Sequence, residues 1–287
     1  MDNCNLNANA AFDSDLAMER RRASTYVEGV EYRRDVCLGG VWERLKITSE
    51  AGEKSIGRPM GYYDTLTLPH MDGIMPDDIE DAKDEIAREL CRMCDMCDVS
   101  PERILVVGIG NKELTPDAIG PAAAGKVDAT MHIKDADPEL FEVMGCSEIC
   151  VICPDVASNS GMNSAEIVKS VADTVKPTVV FAIDSLASRS SERLGNTVQV
   201  SSTGIIPGTG VGHAGAKIDE ELLGVPVIAI GIPTVISTRS LRKDAGDEGA
   251  RSTSDLFVCP KGISRIVKNG AEIIGGGINQ AFGICYF

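Results

Sequence analysis

The sequence predicts an α/β protein of three layers, in which helices cover both faces of a mostly parallel sheet. Apolar runs without polar alternation, at 104–109 and 178–183, are typical of strands that are buried on both faces. A segment with helical periodicity, 163–175, precedes the second of these runs. Alternation of strand, helix and strand favours right-handed crossovers and therefore a parallel sheet.

The N-terminal part of the chain differs from the rest. Residues 1–25 are polar, rich in Asn and Ala, and without sustained periodicity, which is typical of a flexible arm. Residues 26–70 contain short alternating segments separated by glycines, and we predict antiparallel hairpins that decorate the main sheet. Residues 76–97 form a predicted amphipathic helix with an acidic first turn. The main sheet and a terminal helix are predicted within 100–287.

Several further elements complete the predicted sheet. Residues 149–152 and 225–232 are predicted as buried strands, and 196–201 as a shorter, more polar strand near an edge. A glycine-rich loop at 203–212 permits positive φ angles and close backbone approach. Residues 257–281 are predicted as the terminal helix. We predict that these elements form a single α/β domain; a chain of 287 residues could also form two small domains.

Composition disfavours several classes of function. The 287 residues carry 43 Asp and Glu against 28 Lys and Arg, a net charge of −15, whereas direct nucleic-acid binding needs a basic surface. No apolar run approaches the roughly 20 residues that cross a bilayer, and the first residues lack the features of a secretory signal. We therefore expect a cytoplasmic protein that binds neither nucleic acid nor membranes.

The ten cysteines include one dense group, Cys91, Cys94 and Cys97. Their spacing resembles an iron–sulfur motif, but Pro101 stands where the ferredoxin pattern requires the fourth ligand. We expect core-type cysteines, because a free Cys packs as a small apolar group. We therefore expect no iron–sulfur cluster on these cysteines, and no cofactor.

Two aspartates are placed where open α/β sheets carry their sites. Asp117 follows the strand at 104–109 in a turn, where Thr115 and Pro116 fit the start of a helix. Asp184 directly follows the strand at 178–183, and the carboxyl ends of parallel strands meet at one edge. Two adjacent carboxyl groups share a proton, so that one can take a proton from water while the other supports a scissile carbonyl. For either aspartate alone, a helix cap or a structural hydrogen bond is the simpler interpretation.

Other catalytic schemes have weaker candidates. His70 and His132 lie in a predicted loop and a charged turn, so a triad of Ser, His and Asp has poor partners. His213 could be a metal ligand or a substrate contact, although a solvated loop histidine is the simpler interpretation. The glycine-rich loop lacks the Gly-Lys-Ser/Thr ending of a phosphate-binding loop. The candidate substrate loop comprises Gly208, Gly210, Gly212 and His213.

Four long motifs together resemble the germination proteases of spore-forming bacteria. Spanning roughly residues 104–236, they are Val-Gly-Ile-Gly-Asn with Thr-Pro-Asp-Ala-Ile-Gly-Pro, Ala-Ile-Asp-Ser-Leu-Ala-Ser-Arg-Ser, Gly-Ile-Ile-Pro-Gly-Thr-Gly-Val-Gly, and Ile-Ala-Ile-Gly-Ile-Pro-Thr-Val. The resemblance implies an atypical aspartic endopeptidase, without a metal, that initiates the degradation of small acid-soluble spore proteins during germination. It also implies a homotetrameric zymogen in the cytoplasm of the forespore and spore core, and a fold similar to that of hydrogenase maturation proteases.

The resemblance also assigns roles to particular residues. The two essential aspartates of the family correspond to Asp117 and Asp184. Its self-cleavage site corresponds to the Asp15–Leu16 bond in Ser-Asp-Leu-Ala-Met-Glu, a string that imitates the acid-then-apolar site cut in the substrates. This correspondence implies a propeptide, 1–15, and a single peptidase domain, 16–287.

Two alternatives remain open from the residues. A metal-dependent peptidase of the maturation type would use Asp117 and Asp184 as ligands, with His213 as a third candidate; sensitivity to a chelator would favour it. A non-enzymatic binding module would keep the same scaffold and cleave no spore protein.

Overall fold

The computed structural model describes residues 14–20, 27–208, 215–246 and 256–284. Within these residues, nine strands form one sheet. The strands are β1 (Val30–Cys37), β2 (Gly40–Ile47), β3 (Gly61–Thr67), β4 (Arg103–Gly108), β5 (Glu148–Ile152), β6 (Val179–Ser188), β7 (Thr197–Ser201), β8 (Val227–Ser237) and β9 (Phe257–Val258).

Helices connect and cover these strands. They are α1 (Glu50–Ile56), α2 (Pro76–Met96), α3 (Ile119–Ala124), α4 (Met131–Ala136), α5 (Pro138–Met144), α6 (Ala157–Ser160), α7 (Ser164–Val175), α8 (Glu220–Leu223), α9 (Thr238–Asp244) and α10 (Ile263–Phe282). Two short 3₁₀ helices lie at Ala17–Arg20 and Thr115–Asp117. Among the helices of the described ranges, none is long and apolar enough to cross a membrane.

The strands follow the order β1-β2-β3-β7-β8-β6-β4-β5, and β9 pairs with β8. The centre is parallel, because β4 pairs in parallel with both β5 and β6, and β6 pairs in parallel with β8. The remaining pairs are antiparallel. The predicted α/β class and the N-terminal antiparallel hairpins are therefore confirmed.

Both faces of the sheet are buried under helices, which gives the three predicted layers. On one face α2, α3 and α10 contribute Ile86, Ala123 and Ile274 to the larger apolar cluster. On the other face α7 contributes Ala165 and Val168 to a second cluster with residues of β4, β6 and β8. Because both faces are covered, the central strands are apolar throughout rather than alternating.

The prediction that residues 196–201 form a strand near an edge is wrong. The corresponding strand, β7, lies between β3 and β8, and all five of its residues are buried. Its polar side chains have partners inside the protein: the Thr197 hydroxyl donates to the carbonyl of Arg193 at 3.1 Å, and Gln199 bonds to the N-terminal segment. The polarity of this strand therefore reflects internal hydrogen bonds and not contact with water.

The prediction of a flexible arm is wrong for residues 14–20. Leu16 and Ala17 are fully buried, and Leu16 packs into the second apolar cluster, which also contains Leu186. The Glu19 carboxylate accepts hydrogen bonds from the backbone N–H of Arg189 at 2.6 Å and of Ser190 at 3.0 Å. Apolar burial and these bonds hold the segment against the end of β6, which a pattern-based interpretation of a short polar stretch cannot detect.

Gly120, in the first turn of α3, lets this helix approach the sheet closely. A Cβ atom at this position would lie 2.1 Å from the carbonyl oxygen of Ile109 and 2.5 Å from that of Ile183. Ile109 directly follows β4 and Ile183 lies within β6. Both oxygens are backbone atoms of the sheet region, so neither can move aside cheaply. The helix that follows Asp117 is thus fixed by a position that has no room for a side chain.

We predict that Gly120→Ala lowers the free energy of unfolding by about 1–3 kcal/mol, because the added methyl group overlaps backbone atoms. Denaturant unfolding measures the loss. Gly125→Ala is the matched control, since Gly125 is exposed at the end of the same helix and its nearest contact would be Pro121 at 3.3 Å. Equal losses in the two variants would contradict the close packing proposed for Gly120.

Candidate active site

The structure brings the side chains of Asp117 and Asp184 into one cavity of about 420 Å³. The cavity lies where β4 and β6 run side by side in parallel, with Gly108 opposite Ile183. Both aspartates are buried, at 6% and 2% exposure. A cavity of this volume is within the ordinary range of ligand sites. The predicted meeting of the two acids is present in the structure, whereas their catalytic role stays a prediction.

The turn after β4 places Asp117. Gly110 has a φ angle of +121°, and a Cβ atom there would lie 2.1 Å from the carbonyl oxygen of Asp117. Only glycine therefore allows the turn to close over this residue. The backbone N–H of Asn111 donates to Oδ2 of Asp117 at 2.7 Å. Asp117 ends a 3₁₀ helix that begins at Thr115, and α3 begins two residues later.

Asp184 lies within β6 rather than after it, because the strand continues to Ser188. Its neighbours on the same face are Ala182 and Leu186, both in the apolar cluster that includes Leu16. The backbone N–H of Ser185 donates to Oδ1 of Asp184 at 2.7 Å. The apolar run that predicted the strand could not show that it continues past an acid.

Of the four residues of the candidate substrate loop, the structure describes Gly208. Its backbone N–H donates a hydrogen bond to the Asp184 carboxyl group, and its φ angle is +77°. Gly208 also lines the cavity of the two acids. Gly210, Gly212 and His213 lie outside the described residues.

Burial raises the pKa of both acids, and the charge of Asp117 raises the pKa of Asp184 further. Burial raises the pKa of Asp117, and the hydrogen bond from Asn111 opposes this increase. Burial, followed by the negative charge of Asp117, raises the pKa of Asp184 well above its usual range. Two buried carboxyl groups whose charges repel each other bind a proton more readily than either would alone, so the pair can hold one proton between its two members. The arrangement supplies an acid and a base in one cavity.

Asp15 lines a second, neighbouring cavity of about 90 Å³ together with Leu186 and Gln199. Its Oδ2 accepts a hydrogen bond at 2.8 Å from the N–H of Ala187, three residues beyond Asp184, and its negative charge further raises the pKa of Asp184. Leu16 is fully buried. In this conformation the Asp15–Leu16 bond is therefore enclosed beside the cavity of the two acids.

Gln199 holds the backbone on both sides of Leu16. Its Nε2 donates to the carbonyl oxygen of Asp15 at 3.3 Å, and its Oε1 accepts from the backbone N–H of Ala17 at 3.0 Å. The N–H of Asp15 donates to the carbonyl of Ala187 at 2.9 Å. Sequence reasoning missed Gln199. The available signal was one long polar side chain between two valines of a strand.

The described part of the chain was expected to contain metal ligands only under the metal-dependent alternative. No group of three His, Cys, Asp or Glu side chains there could hold a metal ion, but His213, the third ligand of the metal-dependent alternative, lies outside it. Within the cysteine group, Cys94 is buried in the core as expected, whereas Cys91 is exposed. Burial raises the pKa of the Cys94 thiol to about 12, so this thiol stays protonated and unreactive.

Comparison with solved structures gives a weak likeness. The crystal structure of the NiFe hydrogenase maturation protease HycI from Thermococcus kodakarensis matches 64% of this chain and 99% of its own, with 17% identity and a TM-score of 0.33. We transfer no residue role from this match.

Comparison with known protein sequences gives a far stronger likeness. The profile of the germination proteases matches residues 8–248. The germination protease of Clostridium perfringens is 34% identical over 317 residues, covering 93% of this chain and 94% of its own. That of Caldanaerobacter subterraneus subsp. tengcongensis is 35% identical, covering 93% of each chain, and that of Clostridium tetani is 37% identical, covering 89% of this chain and 88% of its own. The chain therefore belongs to the germination protease family, and it is a peptidase.

Proposed function

We propose that this peptidase is an aspartate-dependent endopeptidase in which Asp184 is the acid and Asp117 the base. One observation carries the proposal: both carboxyl groups are buried in the same cavity, and the charge of one raises the pKa of the other. Buried acids with such a specific charge partner are typical of catalytic sites.

The reaction follows from these protonation states. The Asp117 carboxylate takes a proton from water as the water oxygen bonds to the carbonyl carbon of the peptide, while protonated Asp184 donates to the carbonyl oxygen. The C–N bond then breaks as the proton on Asp117 passes to the leaving amine, and one hydroxyl group of the tetrahedral carbon returns its proton to Asp184. The products are a carboxylic acid and an amine, and both aspartates regain their starting protonation states. The N–H groups of Asn111 and Ser185 hold the two carboxyl groups in place throughout.

For the substrate, we propose small acid-soluble spore proteins, cleaved when spores germinate, and the chain's own N-terminal segment. Support comes from the family and from the position of the Asp15–Leu16 bond beside the two acids. Because this bond is enclosed in the intact chain, hydrolysis requires a local opening that lets water reach the bond. The intact chain is then an inactive zymogen, and removal of 1–15 produces the active enzyme.

We also propose that the enzyme acts as a homotetramer in the cytoplasm of the forespore and spore core. Val36 and Leu38, on the β1–β2 hairpin, are 84% and 70% exposed. A contiguous exposed apolar patch marks an interaction surface, and we propose that these two side chains belong to such a patch. Analytical ultracentrifugation of the purified chain tests the assembly.

We predict that Asp117→Asn and Asp184→Asn each slow self-processing by roughly 10²–10⁴-fold, because each removes one partner of the proton transfer. Mass spectrometry of the N-terminus measures the conversion to a chain that starts at Leu16, under mildly acidic, dehydrating conditions. Glu113→Gln is the control, since Glu113 is an exposed acid in the same turn as Asp117. Full processing by either aspartate variant would refute the assignment, and loss of processing with a chelator would favour the metal-dependent alternative.

A second prediction concerns pH. The rate of cleavage of a spore protein should fall as the pH rises through the raised pKa of Asp184, because the acid then loses its proton. At low pH the rate should fall again as Asp117 becomes protonated. A profile that stays flat on the alkaline side, up to the pH at which the protein unfolds, would show that Asp184 is not the acid.

The pH dependence of the stability of the folded chain tests the raised pKa of Asp184 without a catalytic assay. The raised pKa means that the folded chain binds more protons than the unfolded chain between the usual Asp pKa and that of Asp184. Stability should therefore fall as the pH rises through this interval. Asp184→Asn should weaken this dependence in a series of melting temperatures, whereas Glu113→Gln should leave it unchanged.

A further inference from the structure

The side chain of Asp15 occupies a small carboxylate-binding site formed by the backbone N–H of Ala187 and the guanidinium group of Arg58. We call this site the seat. The backbone N–H of Ala187 donates to Oδ2 of Asp15 at 2.8 Å. On the other side, Arg58 approaches Oδ1 at 3.5 Å and donates to the carbonyl oxygen of Ser14 at 2.8 Å. Asp15 is 9% exposed. The contacts come from two distant elements, the end of β6 and the loop before β3, and they converge on a single acidic side chain.

Arg58 supplies the cation of this seat. Lys217 lines the same cavity, but its ammonium group pairs with Asp219 at 2.7 Å. The Nε atom of Arg58 is buried and has no hydrogen-bond partner among the described residues. Arg58 therefore retains donor capacity, whereas the ammonium group of Lys217 is already paired with a carboxylate.

The backbone and the side chain of the segment are recognised separately. Gln199 bonds to the carbonyl of Asp15 and to the N–H of Ala17, groups that every peptide carries. It therefore fixes the chain without regard to sequence. Arg58 and the Ala187 N–H contact the carboxylate itself, so they alone can distinguish an acid from its neutral analogue.

We propose that Arg58, with the N–H of Ala187, selects substrates that carry an acidic side chain immediately before the cleaved bond. The inference rests on the proposed function, because cleavage after Asp15 empties the seat. A partly buried guanidinium and an N–H group then lack their acceptor, and a carboxylate from another peptide restores both contacts. Arg58 is thus a specificity-determining residue. In the intact chain, Asp15 fills its binding site until the chain is processed.

The test uses two otherwise identical fluorogenic peptides that copy residues 12–20 and carry Asp or Asn at the position of Asp15. The wild-type chain should cleave the Asp peptide with a kcat/KM about 10- to 100-fold higher, the worth of a charge-assisted hydrogen bond. Arg58→Gln should bring the ratio close to one, mainly by raising KM for the Asp peptide. Because the ratio compares two peptides on one preparation, it does not depend on the fraction of processed protein.

Lys217→Gln is the matched control, since it removes a cation from the same cavity without touching Asp15. It should keep the wild-type ratio, and Arg58→Lys, which retains the charge, should keep a ratio above that of Arg58→Gln. An unchanged ratio in Arg58→Gln, or an equal loss in Lys217→Gln, would overturn the inference.

Hydrogen exchange of residues 14–20 in the intact chain separates the inference from the proposed function. Both Arg58→Gln and Asp15→Asn should accelerate exchange of these N–H groups, whereas Lys217→Gln should not. If exchange responds in this way but the processed protein cleaves neither peptide, the proposed endopeptidase function is wrong. If both peptides are cleaved at an unchanged ratio in Arg58→Gln, the function stands and the role of Arg58 is wrong.

Discussion

The burial of two acids side by side is the constraint on which the rest of this structure depends. A carboxylate inside an apolar sheet is costly, and a second one nearby raises the cost further, so a proton stays with the pair. The glycines at 110 and 120 remove side-chain volume where the Asp117 turn meets the sheet. Backbone N–H groups of Asn111 and Ser185 then supply the hydrogen bonds that water would provide.

Much of this arrangement could be predicted from the sequence, because it depends on local pattern. Continuous apolar runs identified the central strands, and the order of strand and helix identified a parallel centre. Asp117 lies in the turn after one run and Asp184 directly after the other, and the parallel order of the two strands predicts that they meet. The end of β6 is not predictable from its apolar run, because β6 continues beyond Asp184 through residues that pair with β8.

The remainder could not be predicted, because it depends on contacts between distant parts of the chain. Arg58 and Gln199 contact residues 14–17 across sequence separations of 43 to 184 residues. Neither lies in a recognisable motif. β7 is polar by composition yet internal, since Gln199 bonds to the N-terminal segment and Thr197 bonds to the carbonyl of Arg193. Such pairings leave no periodic signal, and only the folded chain shows them.

Because the backbone after β6 anchors Glu19, the two sides of the Asp15–Leu16 bond differ in how firmly they are attached to the domain. Glu19 and the buried Leu16 lie on the domain side of the Asp15–Leu16 bond, while Asp15 lies on the other. While the chain is continuous, this attachment keeps Asp15 at an effective concentration on the order of mM at its seat. A cut would leave Leu16 anchored and let the severed tail diffuse into bulk solution, so dilution alone would make the step effectively irreversible.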